Sequence, residues 1–524
     1  MTHAISLDIG TSGLRGQLLD LQRKKVLRTF ILSRNPLPGA NVMDHLSFAI
    51  EQGQELAHGI MAQAVEQVVD MLAPVDLERV AVCGNPIQLS IFEGIEIRDL
   101  AYAGKNLLAS SGVAAPDRKG HVIRGDAVGL SVDVDVIIPP SVRHEVGADA
   151  LAMMIKSGFL SDDVCMVTDY GTNAEMALKV GDDIFSGSAA AGPAMEGQHI
   201  QAGLLASPGA ISDLVQTSEG WRTMVLNEAF EPQTGSMVSL RGDTCKCQGL
   251  KARGITGTGV MALIYAGMQC ERIHPPRITG GEIRLDRRIR FTEQDLNEAG
   301  KAIGAIRAGQ LTLLHEAGIG SDELQRMYMA GASGTYVDAV KARSIGLVPA
   351  KVRNIVQIGN TSLELAKDLA LEPDLIDELN TMSADLASHH VMFASSATFS
   401  GIYVQELGYW TEGMPWETYL SNIAAMGISI PGGSDADVTV EKRHRTDIWD
   451  IGGSLKMMEP DVHLRGSWDC ARCLLCMRAC PENALSASDG DFTVDSGRCL
   501  GTACRRCEEA CPDSVFHYRR LVLK

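Results

Sequence analysis

Eight of the thirteen cysteines in this 524-residue chain fall between Cys470 and Cys511. The first run is Cys470-x2-Cys473-x2-Cys476-x3-Cys480-Pro481. A loop this short lets three thiolates close on one iron–sulfur cubane while the fourth, before proline, is carried to another centre. The second run is Cys499-x4-Cys504-x2-Cys507-x3-Cys511-Pro512, with its first loop two residues longer. The duplicated pattern predicts two [4Fe–4S] clusters, one held by Cys470, Cys473, Cys476 and Cys511 and the other by Cys480, Cys499, Cys504 and Cys507. The x4 spacer also occurs in plant-type [2Fe–2S] sites, but these take a distant fourth cysteine, and 17 residues follow Cys507. Cys-x2-Cys pairs also bind zinc; the two Cys-x3-Cys-Pro endings favour the double cubane. The other five thiols are dispersed. Cys83, Cys165 and Cys270 read as packed thiols in apolar surroundings, and Cys245-Lys246-Cys247 makes an awkward pair of ligands.

A second chemistry is written in glycine turns. Residues 5–21 alternate apolar residues around Asp8-Ile9-Gly10-Thr11-Ser12-Gly13, the pattern of a hairpin whose backbone donors can turn toward an anion. A similar hairpin begins at Val164, where an apolar strand runs into Asp169-Tyr170-Gly171-Thr172-Asn173. The repeat predicts two similar lobes facing each other across a cleft. A third turn, Gly331-Ala332-Ser333-Gly334, follows a short apolar strand and opens a helix, where missing side chains let a ligand approach backbone.

These sites need elements to hold them. A helix is expected from about Leu46 to Leu72, after the Pro/Gly loop Asn35–Asp44. The small-residue stretch Phe185–Gly197 is expected to let backbone approach a ligand or partner. The aromatic stretch Phe393–Trp416 is expected at a core edge, with a partner contact as the alternative. The domain layout expected is a first lobe over 1–150, a second over 151–440, a linker over 441–465 and a ferredoxin-like domain over 466–524. Apolar content of 45% and charged content of 21% are ordinary for globular proteins. The net charge of −18 argues against nucleic-acid binding. No apolar run approaches the roughly 20 residues that span a bilayer, and no leader-like segment is visible, so the expected location is the cytoplasm, without membrane contact. Dense cysteines in such a chain point to metal rather than to a disulfide scaffold.

The two hairpins and the glycine turn, in that order, resemble the nucleotide-binding superfold of actin, sugar kinases and heat-shock chaperone ATPases. That resemblance implies an α/β, two-lobed ATPase core followed by a small α+β bacterial-ferredoxin-like domain. It implies a first phosphate loop of Asp8, Gly10, Thr11 and Ser12, a second of Asp169, Gly171, Thr172 and Asn173, and an adenosine contact at Gly331 and Gly334. Asp8 and Asp169 would be catalytic, holding hydrated Mg2+ and orienting the attacking water.

More narrowly, Asp8-x-Gly-Thr, Asn35-Pro, Gly187 to Gly197, Gly257-x-Gly, Gly331-Ala-Ser-Gly334 and Gly359-Asn-x-Ser are similar, over roughly residues 3–425, to the ATP-dependent reductive activators of corrinoid proteins. A double-cubane tail in place of an N-terminal plant-type domain resembles the branch serving methylamine methyltransferases in methanogenic archaea. The resemblance implies reduction of inactive Co(II) to Co(I), with ATP, Mg2+ and two [4Fe–4S] clusters. The implied partners are a corrinoid methyl-carrier protein, bound transiently, and a low-potential electron donor; a monomer is expected. Two alternatives are an activator of a 2-hydroxyacyl-CoA dehydratase-type enzyme and a non-hydrolysing electron carrier that binds a corrinoid protein. Activators of the first kind are short and share one cluster across a dimer, which eight tail cysteines count against.

Overall fold

The computed structural model describes residues 2–101, 112–141, 146–171, 173–197, 199–228, 230–242, 244–331, 336–386, 390–431, 438–443, 450–488 and 491–524. Thr172 and Gly334 lie outside the described residues. The chain divides into two units: Met1–Ala152, Ser362–Ala387 and Thr446–Lys524 form one, and Met153–Thr361 and Ser388–Arg445 form the other.

The first unit is built on a mixed sheet. Its described strands run in the order Leu455–Met458, Lys25–Leu32, Leu14–Asp20, His3–Ile9, Leu77–Gly84, Asp135–Ile138 and His121–Arg124. His3–Ile9 and Leu14–Asp20 pair antiparallel, while Leu77–Gly84 lies parallel to His3–Ile9 and sets Cys83 beside Asp8. Almost every residue of the opening strand is buried, as expected for a strand covered on both faces. The helix expected from about Leu46 to Leu72 is two helices, Val42–Gln52 and Gln54–Leu72. Asn41 caps the first by accepting from the Met43 and Asp44 amides, and Gly53, at φ 112°, breaks the pair. Apolar periodicity runs through both helices, so it could not reveal a break set by one glycine's backbone.

The same unit carries the C-terminal module. Its antiparallel sheet runs Leu485–Ser488, Asp491–Asp495, His463–Ser467 and Val522–Leu523, over a core of Trp468, Phe492 and Phe516 whose ring centroids lie 4.7–5.8 Å apart. Residues 441–465, expected to be a linker, include Leu455–Met458, which pairs parallel with Lys25–Leu32. The module also docks on the unit's helices. Phe48 meets Tyr518 edge-on with centroids 6.0 Å apart, and the Gly39 amide donates to the Cys499 carbonyl at 2.9 Å.

The second unit repeats the hairpin-plus-parallel plan. Its main sheet runs Thr439–Lys442, Asn354–Gly359, Arg326–Ala330, Val164–Asp169, Ala174–Val180 and Asp183–Ala189. The first four pair parallel and the last three form antiparallel hairpins. A smaller sheet over Ala210–Ile255 flanks the helix Gly257–Gln269, which Thr256 caps. The long helix Glu293–Glu316 starts at a capping box of Thr292 and Asp295. Within the small-residue stretch, the space at Gly187 is occupied from within, since a Cβ there would meet the Phe393 ring at 2.6 Å, while Gly192 faces open space. The aromatic stretch lies at the core edge: Phe393 and Trp410 are buried, while Phe399, Tyr403, Tyr409 and Trp416 are partly buried against the core. Tyr419 is buried, and the Arg307–Glu406 ion pair lies among Tyr409, Trp416 and Tyr419.

Candidate functional site

The first glycine turn, between His3–Ile9 and Leu14–Asp20, is closed by the Gly10 amide donating to the Gly13 carbonyl at 3.0 Å. Its shape is held from behind by buried amides. Asn35 Nδ2 donates to the Gly10 carbonyl at 2.8 Å and to Gln88 Oε1 at 3.1 Å, and Gln88 Nε2 approaches His45 Nδ1 at 2.8 Å. Burial pushes His45 down to about 4, so the imidazole is neutral and accepts from Gln88. Asn85 Nδ2 donates to Thr11 Oγ1 at 3.0 Å, while Asn85 Oδ1 caps the helix Pro86–Glu93. Thr11 and Ser12 are half-buried at the turn.

Asp8 has a carboxylate neighbour that sequence reasoning missed. Asp149, in the first turn of the helix Ala148–Ser157, is pushed up to about 7, first by burial and then by the Asp8 charge. Two acidic groups of one charge in a shared, poorly solvated place favour a cation or a proton between them. The available signal was Gly147-Ala148-Asp149 opening an apolar helix, and an isolated Asp at a helix start reads as a dipole partner. Cys83 lies near both carboxyls; burial raises its thiol well above the usual range, so it is a protonated packing residue.

In the second unit, Asp169 ends the strand Val164–Asp169 and pairs in register with Ala330. Gly171 and Asn173 form the turn to Ala174–Val180 and are half-buried. Gly331 follows at φ 79°, and a Cβ on it would run into Asp169 Oδ1. The fold thus brings Asp169 and Gly331 together, although 162 residues separate them. Tyr170 points into the core, where its hydroxyl donates to the Leu347 carbonyl at 2.7 Å.

The eight tail cysteines separate into two sets of four. Cys470, Cys473, Cys476 and Cys511 line one cavity together with Trp468, Phe492 and Phe516. Cys499 is influenced by Cys480 and Cys504, and Cys507 by Cys499. The loops curl through left-handed residues, Arg472 and Leu474 in the first and Arg505 in the second. Such alternation turns successive amides inward as donors to anionic sulfur. The Ala484 amide donates to Cys480 Sγ at 3.3 Å, the Gly501 amide to Cys499 Sγ at 3.4 Å, and Tyr518 Oη lies 3.2 Å from Cys499 Sγ. Burial pushes the Cys499 thiol up to about 11 and Cys507 up to about 12, while backbone amides, led by that of Phe516, lower Cys511. Soft thiolates with amide donors and aromatic walls fit an iron–sulfur cluster. Among the described residues no three His, Cys, Asp or Glu side chains converge as a single metal ion requires. Cys245, in the strand Thr244–Lys246, and Cys247, just past it, belong to the second unit, with Sγ atoms 3.8 Å apart. Among the described residues no helix is long and apolar enough to cross a membrane.

Two family models match the chain, one described as the RACo middle region over residues 3–162 and one as the C-terminal domain of RACo, the ASKHA domain, over residues 163–420. The chain is 44% identical over 517 residues to the Co(II) methylated amine-specific corrinoid protein reductase of Methanosarcina barkeri, covering 96% of each chain. It is 25% identical over 378 residues to the corrinoid activation enzyme RamQ of Eubacterium limosum, covering 66% of this chain and 60% of that one. A solved structure, the reductive activator for corrinoid, iron–sulfur protein, superposes with a TM-score of 0.63 at 22% identity, over 78% of this chain and 66% of that chain. The fold class read from the sequence, an actin-like α/β core followed by a ferredoxin-like module, is the fold of this chain.

Proposed function

We propose, for a chain that belongs to the family of reductive activators of corrinoid proteins, that it returns inactive Co(II) corrinoid protein to Co(I) by one-electron transfer coupled to ATP hydrolysis. The observation that carries this reading is the 44% identity to a corrinoid protein reductase, which covers 96% of this chain and 96% of that one. That relative's methylated-amine specificity favours a methylamine-pathway corrinoid protein as the partner here.

In this reading the four thiolates of each set hold one [4Fe–4S] cluster, which when bound supplies single low-potential electrons. The chain's own part is to keep each set preorganised. Inward amides and Tyr518 hydrogen-bond the sulfurs, and Trp468, Phe492 and Phe516 wall one side of the first set, whose Cys473 stays exposed. Backbone amides of Gly10–Ser12 would serve as a phosphate loop in the first unit and those of Gly171–Asn173 in the second, with Gly331 and Gly334 as the adenosine contact. Asp8 in the first unit and Asp169 in the second would each be able to hold hydrated Mg2+, which would neutralise phosphate charge, and Asp149, beside Asp8, would receive the proton of the attacking water. ATP drives the change only by binding one conformational state of the activator–corrinoid complex more tightly than another.

The test is anaerobic. Reconstituted protein, reductant and a methylamine-pathway Co(II) corrinoid protein are mixed, and Co(I) absorbance is followed with and without Mg-ATP, for the parent and for Asp149→Asn. Co(I) should appear only with Mg-ATP, and the variant should be slower by about 10²-fold or more, as loss of a general base implies. An equal yield without nucleotide would sink the coupling. ATP turnover without Co(I) on any such partner would move the substrate class elsewhere.

A further inference from the structure

The two cysteine sets open onto different surfaces: the first set's cavity is lined by one arginine, Arg472, and one aspartate, Asp513, among apolar side chains, and the second opens beside several arginines. Beside the first, Cys473 is exposed and followed by Leu474 and Leu475, 40% and 42% exposed, an apolar lip. Beside the second lies a concavity lined by Gln52, Arg505, Glu508, His517, Arg519 and Arg520. This face is close to the sulfurs: Arg505 and Arg506 lie between Cys504 and Cys507 in the chain, and Arg519 follows Tyr518, whose hydroxyl is 3.2 Å from Cys499 Sγ.

The acidic groups around it are already engaged or few. Glu51 pairs with Arg505, and Glu508 accepts from the Tyr518 amide at 2.6 Å. Glu509 is exposed nearby in the chain. Arg506, Arg519, Arg520 and His517 are exposed, and among the described residues none of the three arginines has a salt-bridge partner. The chain as a whole carries −18. An acidic protein approaching it is repelled by the summed charge and attracted by a local basic face, so its productive encounters concentrate there.

We infer that this basic concavity is the docking site of an acidic electron-donor protein, so that electrons enter through Cys480, Cys499, Cys504 and Cys507 and leave through the set beside the apolar lip. The inference rests on the iron–sulfur reading above and adds a direction to it. The two partners need different surfaces. A donor that must arrive, deliver one electron and leave is served by charge steering, which raises the on-rate. A corrinoid protein delivering its cobalt to a cluster must exclude water at the contact, which exposed leucines do and arginines do not.

The experiment uses the reconstituted full-length protein and its Arg519→Glu/Arg520→Glu variant, with Arg519→Gln/Arg520→Gln as a milder pair should charge reversal prevent folding. Cluster absorbance confirms that each is loaded. Stopped flow then measures the second-order rate of cluster reduction by a reduced acidic ferredoxin, at low and at high salt, and by the methyl viologen radical cation. At low salt the charge reversal should slow the ferredoxin reaction by about ten-fold or more, and the glutamine pair should slow it less. High salt should erase most of the difference, and the viologen rate should stay at the parent value. An unchanged ferredoxin rate in a loaded variant overturns the inference, as does an equal loss with viologen. Weakened corrinoid-protein binding with an intact donor rate also overturns it, by giving the face to the other partner. A parent protein that loads no cluster overturns instead the iron–sulfur reading beneath it.

Discussion

Asn35 uses one amide group to fix a loop on each side of itself. Its Nδ2 holds the Gly10 carbonyl, and its Oδ1 accepts from the Leu37 amide at 2.9 Å, at the start of the Pro38-Gly39 loop that meets Cys499. This residue stood out in the sequence only as part of Asn35-Pro36; its partners Gln88 and His45 did not, because buried polar side chains inside apolar helices carry no periodic signal. Asp149 was missed for a related reason, since its environment is set by Asp8, 141 residues away. The cysteines were legible because ligand spacing is itself a sequence property. A prediction at this scale concerns His121, whose Nε2 lies 3.1 Å from Glu93 Oε1. The Glu93 hydrogen bond raises His121 to about 8 from an ordinary 6.5. A raised histidine binds its proton more tightly in the folded state, so the pair stabilises fully below pH 6.5 and loses that effect as pH passes about 8. More than a third of the imidazole is exposed, so screening holds the contribution to under about 1 kcal/mol. His121→Gln should lower the thermal midpoint slightly at pH 6 and leave it unchanged at pH 9; an equal loss at both would assign the effect to packing.

At the scale of elements, the hairpins and the Gly331 turn were readable because alternation and glycine report local geometry directly. What they could not report is which pieces meet. Gly331 lies at φ 79° with Asp169 Oδ1 where a Cβ would stand, so two motifs read separately share one constraint. Gly331→Ala should therefore cost roughly 1–2 kcal/mol from the left-handed backbone alone. It should also displace the Asp169 carboxylate, weakening ATP binding measured by calorimetry. Should the variant bind ATP normally while losing that stability, Asp169 would have no part in holding the nucleotide. The break at Gly53 and the filling of the Gly187 space by Phe393 share a lesson: glycine marks freedom or closeness, and only the packed neighbour says which.

For the whole molecule, the cysteine module shares a unit with the first glycine-turn hairpin. The strand Leu455–Met458 completes that unit's sheet, and Tyr518 packs on Phe48, an aromatic contact worth about 0.5–1.5 kcal/mol beyond the area it buries. A chain ended before Leu455 should therefore lose more than its electron-transfer part. It would leave Lys25–Leu32 as an open strand edge and bare Phe48, so size-exclusion chromatography should show aggregates. A monodisperse truncation that still bound ATP would show the two parts to be independent. If they are not, the module cannot be exchanged by recombination like a bead on a string. A new electron-transfer tail would have to bring its own strand to finish the host's sheet, and lineages that swapped tails would carry matching changes along Lys25–Leu32 and at Phe48.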